Sequence, residues 1–250
     1  MIPTKDTNPR IGVHLRMKTI GIIGAMDEEI IHLKEAMEVV ATKSAVGLTF
    51  YVGRLTGRNV SLVIARSGIG KVNAAICAQV MVDLFAVDYI INTGVAGALV
   101  DTLKVGDILI SIDAVQHDMD ASALGDPVGT IPRMAESYFK ADEEMVRLAQ
   151  EAGAEIADGY TVVTGRVASG DQFIATKEAK ERIRKTVKAD CAEMEGAAIA
   201  HVCALNRIPF VIIRAISDSA NDEAGMSFDK FCPIAAKRSA DLVGQMLSKI

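Results

Sequence analysis

A chain of 250 residues, half of them apolar, is long enough to bury one sizeable core. Its 27 basic and 32 acidic residues leave a net charge of −5, without the basic face that a phosphate backbone demands, so no nucleic-acid partner is expected. The four cysteines, Cys77, Cys191, Cys203 and Cys232, form no CxxC pair and sit in apolar contexts, which fits reduced thiols in a cytoplasmic protein.

In chain order, residues 1–16 are polar, contain Pro3 and Pro9 and lack the apolar core of a secretory signal. They read as a disordered extension ahead of a single domain over 17–250. A strand is expected at Thr19–Gly24, then a helix over Glu28–Val40, where Ile30, Leu33, Met37 and Val40 recur at helical spacing. Leu48–Leu55 and Val60–Arg66 form a hairpin across Gly57-Arg58-Asn59, and a helix runs from Lys71 to Phe85. The apolar stretch Ala74 to Ile91 is broken by Gln79, Asp83 and Asp88, so no membrane span is expected. Strands follow at Val87–Asn92 and Asp107–Ala114. Gln116 to Arg133, with Gly125, Pro127, Gly129 and Pro132, reads as a long loop of the kind that carries function. Beyond it come a helix at Ala141–Ala152, a strand at Tyr160–Ala168, helices at Lys177–Val187 and Gly196–Asn206, a strand at Phe210–Ile216 and a closing helix at Phe228–Lys249. The alternation implies an α/β fold, a single-domain mixed, largely parallel sheet flanked by helices.

Ligands in such sheets bind beyond the carboxyl ends of strands. There the chain places Ala25-Met26-Asp27-Glu28-Glu29, Asn92-Thr93-Gly94-Val95-Ala96-Gly97 and Ser217-Asp218. Glu29 and Glu195, each at a helix start, are individually explained by the helix dipole, which favours acids in the first turn. Asp218 is harder to dismiss, because the apolar strand before it contains Arg214, which needs a partner if buried. Gly21-Ile22-Ile23-Gly24 lacks the dinucleotide-binding spacing, and Ser67-Gly68-Ile69-Gly70-Lys71 fails as a P-loop because Val72 follows the lysine. His14, His32, His117 and His201 show no paired ligand spacing, and G-x-S-x-G is absent. Neither a metal nor a cofactor is expected.

The ordered combination is more specific than its parts. Gly21 to Glu29, Ser67 to Val72, Ile91-Asn92-Thr93-Gly94, Ser169-Gly170-Asp171-Gln172-Phe173-Ile174, Glu193-Met194-Glu195 and Arg214-Ala215-Ile216-Ser217-Asp218 together resemble the 5'-methylthioadenosine/S-adenosylhomocysteine nucleosidases. The resemblance covers the chain from Met17. It implies a purine nucleoside phosphorylase-like fold, a homodimer, no cofactor, and hydrolytic release of adenine from 5'-thio-substituted adenosines, a step of methionine salvage. It also implies that Glu29 activates water, Asp218 protonates adenine N7, Arg214 lies near the water and Glu29, and Glu195 holds the ribose hydroxyls beside Met194. Phe173 would stack on adenine, Ile174 would bond it through the backbone, Ser217 would stand beside Asp218, and Met26, Ile69 and Phe228 would line the sugar and alkylthio pocket.

The same fold serves phosphorylases, which need cationic donors around phosphate. Here the first loop offers Asp27, Glu28 and Glu29 with no arginine between them, which repels phosphate and suits water. The chain departs from the family at Val95, where a serine is common, at Ala98, and at Ala121 and Leu124 in the long loop. These departures bear on substrate ranking, with 6-amino-6-deoxyfutalosine as a further candidate substrate. The alternatives are a phosphorylase of the same fold and a catalytically silent nucleoside sensor.

Overall fold

The computed structural model describes residues 17–55, 60–221 and 224–250. The expected extension over 1–16 and the turn at 57–59 lie outside the described residues. The described residues form ten strands: β1 (Thr19–Gly24), β2 (Met37–Ala45), β3 (Leu48–Leu55), β4 (Ser61–Arg66), β5 (Tyr89–Ala98), β6 (Ile108–Gln116), β7 (Tyr138–Lys140), β8 (Val162–Ser169), β9 (Cys191–Glu193) and β10 (Phe210–Asp218). Six helices accompany them: α1 (Asp27–Glu35), α2 (Lys71–Phe85), α3 (Glu143–Ile156), α4 (Lys177–Val187), α5 (Gly196–Asn206) and α6 (Ala224–Leu247).

The strands form one mixed sheet. Because β10 pairs with both β5 and β6, and β9 with both β5 and β8, strands β5-β10-β6-β8-β9 close into a barrel-like ring. From β5 the sheet continues outward through β1, β4, β3 and β2. Its inner pairings β1–β4, β1–β5, β5–β10, β6–β8 and β8–β9 are parallel. The others are antiparallel.

Both faces of the sheet are covered, so its central strands are apolar on both sides. In β10 the side chains alternate: Phe210, Ile212 and Ile216 join a cluster with Ala74, Cys77, Ala78 and Met81 of α2 and Ala197 to Cys203 of α5. Val211, Ile213 and Ala215 join Ile30 and Leu33 of α1, Met145 and Ala149 of α3, and the apolar face of α6. Each such isoleucine or valine contributes ~1.5–3 kcal/mol by leaving water. Arg214 takes a place that the alternation would give to another apolar residue of the first cluster. It is wholly buried.

Helices α2, α4 and α5 and strand β1 fall where the sequence places them. Other regions differ: α6 starts at Ala224 rather than Phe228, and β10 runs on to Asp218 rather than ending at Ile216. The amphipathic stretch does not run to Val40: α1 stops at Glu35 and Met37 opens β2, which pairs antiparallel with β3. Val39, Val40 and Thr42 are β-branched and stiff, and on an edge strand exposed on both faces they show no period of two, so Met37 and Val40 imitate helical spacing. The segment Asn92 to Gly97, expected beyond the strand, lies inside β5, which continues to Ala98. The short strands β7 and β9 carry too few residues to register a period, and the loop after β6 holds one short turn at Ser122–Leu124.

Candidate active site

The carboxyl ends of β1, β5, β9 and β10 converge on a cavity of about 490 Å³. Its floor is polar and buried. Glu29, the third residue of α1, turns back on the helix start: its Oε2 accepts from the backbone N–H of Ala25 (2.7 Å) and Met26 (3.1 Å). Its Oε1 accepts from Val95 N–H at 3.0 Å. The helix-start explanation of Glu29 is therefore correct as far as it goes, and Oε1 is left to face β5 and, at 3.9 Å, the Arg214 guanidinium. Burial pushes its pKa up, against the pull of Arg214 and of the three N–H donors.

Gly94 makes this approach possible. A Cβ there would overlap Arg214 Nη1 and Glu29 Oε1, so the close packing of β5 against the two charges requires glycine.

Glu195 sits at the start of α5, where its Oε1 accepts from Gly70 N–H at 2.8 Å. Gly70 adopts φ +98°, a conformation open to glycine, and this presents its N–H across the site. The Glu195 carboxyl is pushed up to about 8, by burial first and by the neighbouring Glu193 charge second. Asp218 ends β10, its Oδ1 accepting from Ala220 N–H and its Oδ2 from the Ser217 hydroxyl, each at 2.8 Å. Burial raises its pKa while both bonds and Lys180 favour the anion.

The mouth is apolar and open. Phe173 and Phe228 meet edge to face with ring centroids 5.7 Å apart, and Met26 and Ile69 flank them. Of the residues singled out in sequence, Met26, Glu29, Ile69, Phe173, Met194, Glu195, Ser217, Asp218 and Phe228 all line the cavity. Two do not. Ile174 is buried among Leu99, Val115 and Ala168, and Arg214 lies wholly buried against Glu193. Val95, whose family serine is missing, lines the cavity and still supplies its N–H to Glu29.

Sequence reasoning named Glu193 and Asn92 as parts of motifs without a role, and it passed over Asp229. Asn92 Oδ1 accepts from Arg214 Nη2 at 2.5 Å while its Nδ2 donates to Ile23 O at 2.9 Å, tying β5 to β1 and β10. A polar residue in the middle of an apolar strand was the available signal. Asp229, on α6, reaches the cavity edge. No Lys, Arg or His lines the cavity among the described residues, and the lining carries five carboxyls, Glu29, Glu193, Glu195, Asp218 and Asp229.

A ring-closed mixed sheet with a carboxylate-floored pocket at its strand ends defines a member of the phosphorylase superfamily, whose family description matches residues 19–248. Within it, the chain is 44% identical over 232 residues to the 5'-methylthioadenosine/S-adenosylhomocysteine nucleosidase of Geobacillus sp. (strain WCH70), covering 92% of this chain and 98% of that protein. It is also similar to the nucleosidase of that name from Neisseria meningitidis, solved in complex with methylthio-immucillin-A, with a TM-score of 0.88 and 41% identity over 93% of this chain and 100% of the other. The native structure of the futalosine hydrolase of Helicobacter pylori strain 26695 superposes with a TM-score of 0.88 at 38% identity, over 94% and 99% of the two chains. The chain belongs to the 5'-methylthioadenosine/S-adenosylhomocysteine nucleosidase family.

Proposed function

We propose that this protein hydrolyses the N-glycosidic bond of 5'-methylthioadenosine and S-adenosylhomocysteine, releasing adenine and the 5'-thio-substituted ribose. The observation that carries this reading is the cavity wall: carboxyls without one basic side chain among the described lining residues. The guanidinium nearest Glu29 and Glu195, that of Arg214, is already paired with Glu193. Inorganic phosphate would meet uncompensated negative charge there, and water would not.

In this reading water attacks the anomeric carbon while the bond from that carbon to adenine N9 breaks. Glu29, as the carboxylate, takes the water's proton, and Asp218, as the acid, delivers one to N7, so adenine leaves neutral. The raised pKa of Asp218 keeps its proton available, and the bonds from Ser217 and Ala220 stabilise the anion that donation leaves. Positive charge developing on the sugar is met by the carboxylates of the floor. Glu195 accepts from the ribose hydroxyls beside Met194, Phe173 stacks on adenine, Ile174 bonds the base through its backbone, and Met26, Ile69 and Phe228 hold the 5' group. No cofactor takes part. The protein works as a cytoplasmic homodimer in methionine salvage.

Incubation with methylthioadenosine, with and without phosphate, tests the reading. Adenine and free methylthioribose are expected in both cases; methylthioribose 1-phosphate would make the protein a phosphorylase, and adenine binding without release a sensor. The likeness to a futalosine hydrolase supports a second substrate, 6-amino-6-deoxyfutalosine, in the same assay.

A further inference from the structure

Arg214 makes its close carboxylate contact with Glu193. Glu29 Oε1 and Glu195 Oε2 both stand 3.9 Å from the guanidinium, whereas Glu193 Oε2 accepts directly from Nη2. The same carboxylate serves the other side of the floor. Glu193 Oε2 accepts from the backbone N–H of Glu195 (3.1 Å) and Gly196 (2.8 Å), and Oε1 accepts from Gly196 N–H (3.0 Å) and from the Ser169 hydroxyl. Ser169 Oγ in turn accepts from Ala197 N–H at 2.6 Å. One anion thus ties β8, the start of α5 and β10 together at the point where Met194 and Glu195 enter the cavity.

A helix start needs an acceptor for its orphan N–H groups, and a neutral group would supply one. What a neutral group would not supply is a full charge opposite a buried guanidinium. Without it, Arg214 would be drawn onto Glu29 or Glu195, the two carboxylates that the proposed reaction requires free to face the substrate.

We propose that Glu193 is a positioning residue of the site: it holds Arg214 away from Glu29 and Glu195 and fixes the backbone from which Glu195 projects. This inference rests on the nucleosidase reading for its kinetic consequence and not for its geometry. The charged groups facing Glu195 are Glu29 from α1, Glu193 from β9 and Arg214 from β10, with Gly70 N–H as a donor. Removing the Glu193 charge takes away a repulsion and frees Arg214, and both changes lower the Glu195 pKa.

Two variants separate charge from reach. Glu193→Gln keeps the reach and loses the charge; Glu193→Asp keeps the charge and withdraws it by one methylene. Titration of Glu195 by carbon-13 NMR of labelled carboxyls is expected to start from about 8 in the unmodified protein. In Glu193→Gln the midpoint drops by at least one pH unit, and in Glu193→Asp it stays in place. Both variants lose at least tenfold in kcat/KM for adenine release. An unmoved Glu195 midpoint in Glu193→Gln, or unmodified kcat and KM in Glu193→Asp, overturns the proposal. If Glu193→Gln does not fold, Glu193→Asp decides: a tenfold loss at a preserved melting temperature supports the clamp, and normal turnover removes it. If the unmodified protein releases no adenine, the nucleosidase reading falls, and the clamp is judged on the Glu195 midpoint alone.

Discussion

Glu29, Glu195 and Asp218 at the floor of the cavity and Arg214 beneath it are at most 5% exposed, and every one is held by backbone or side-chain hydrogen bonds. At the mouth Ile69 and Phe173 are 54% and 50% exposed and are placed by ring and apolar contact. The floor takes its carboxyls out of water, which raises their pKa values, and at Glu195 the neighbouring Glu193 charge adds to the rise. The mouth costs little to rearrange. In the proposed reading, bond cleavage therefore depends on geometry fixed by strands, while the adenine ring and the 5' group are held by side chains free to adapt.

Substitutions at the floor test the first half of that contrast and have the largest expected effects. Asp218→Asn keeps an acceptor for Ala220 N–H and turns the Ser217 hydroxyl into an acceptor, but it has no acidic proton to give, and adenine release is expected to fall by about 10²–10⁴-fold, the usual range for a lost general acid. Near-normal turnover would remove Asp218 from that role. Gly94→Ala touches no substrate in the proposed reading, yet its methyl group would overlap both Arg214 and Glu29. A loss of about tenfold or more in kcat is expected with KM changed less, since water activation suffers and the mouth does not. Unchanged kcat would mean that the floor yields more easily than its packing implies.

The difference between floor and mouth also decides what was legible in the sequence. Asp218 and Arg214 stood out because charge within or at the end of an apolar run is costly unless used, whereas Glu29 read as a helix-start acid until the ordered motifs were taken together. The long elements were readable for a related reason, since burial leaves an apolar run where both faces are covered, as in β10, and an apolar stripe where one is, as in α4. Three features left weaker traces. Strand β2 is exposed on both faces and carries no alternation. Strand β9 has three residues, so Glu193 read only as part of a motif, when it faces the one guanidinium beneath the floor among the described residues. Asn92 read as the end of its strand because the small residues Thr93 to Gly97 resemble a loop, whereas their smallness lets β5 pass close to Glu29, Arg214 and Asp218.

At the mouth the expected effects are smaller and fall on binding. Phe173→Ala removes the ring assigned to the adenine face, and KM should rise about tenfold with kcat preserved, in line with ~1–3 kcal/mol for a base stacked on an aromatic ring. Loss of kcat instead would place Phe173 in the chemistry and blur the division. Phe228→Ala should leave adenine inhibition unchanged and alter the ranking of nucleosides with different 5' groups by a few-fold, as read from their kcat/KM ratios.

The smallest effect concerns stability. Glu195 titrates near 8 in the folded protein, against an ordinary carboxyl value of 4.5, and the Glu29 and Asp218 values are raised as well. A carboxyl whose folded pKa lies above its unfolded one contributes stability that is fully present below the unfolded value and is lost as pH rises through the folded value. Asp107 and Asp118 are shifted downward, so their contribution is lost only in acid and does not enter this window. The melting temperature of the ligand-free protein is therefore expected to decline between pH 6 and pH 9. Glu195→Gln retains an acceptor for Gly70 N–H and cannot ionise, so it should flatten the decline and melt above the unmodified protein at pH 9. Equal slopes for the two proteins in a thermal scan would show that the floor does not hold its charge at a cost, and the contrast with the mouth would then rest on geometry alone.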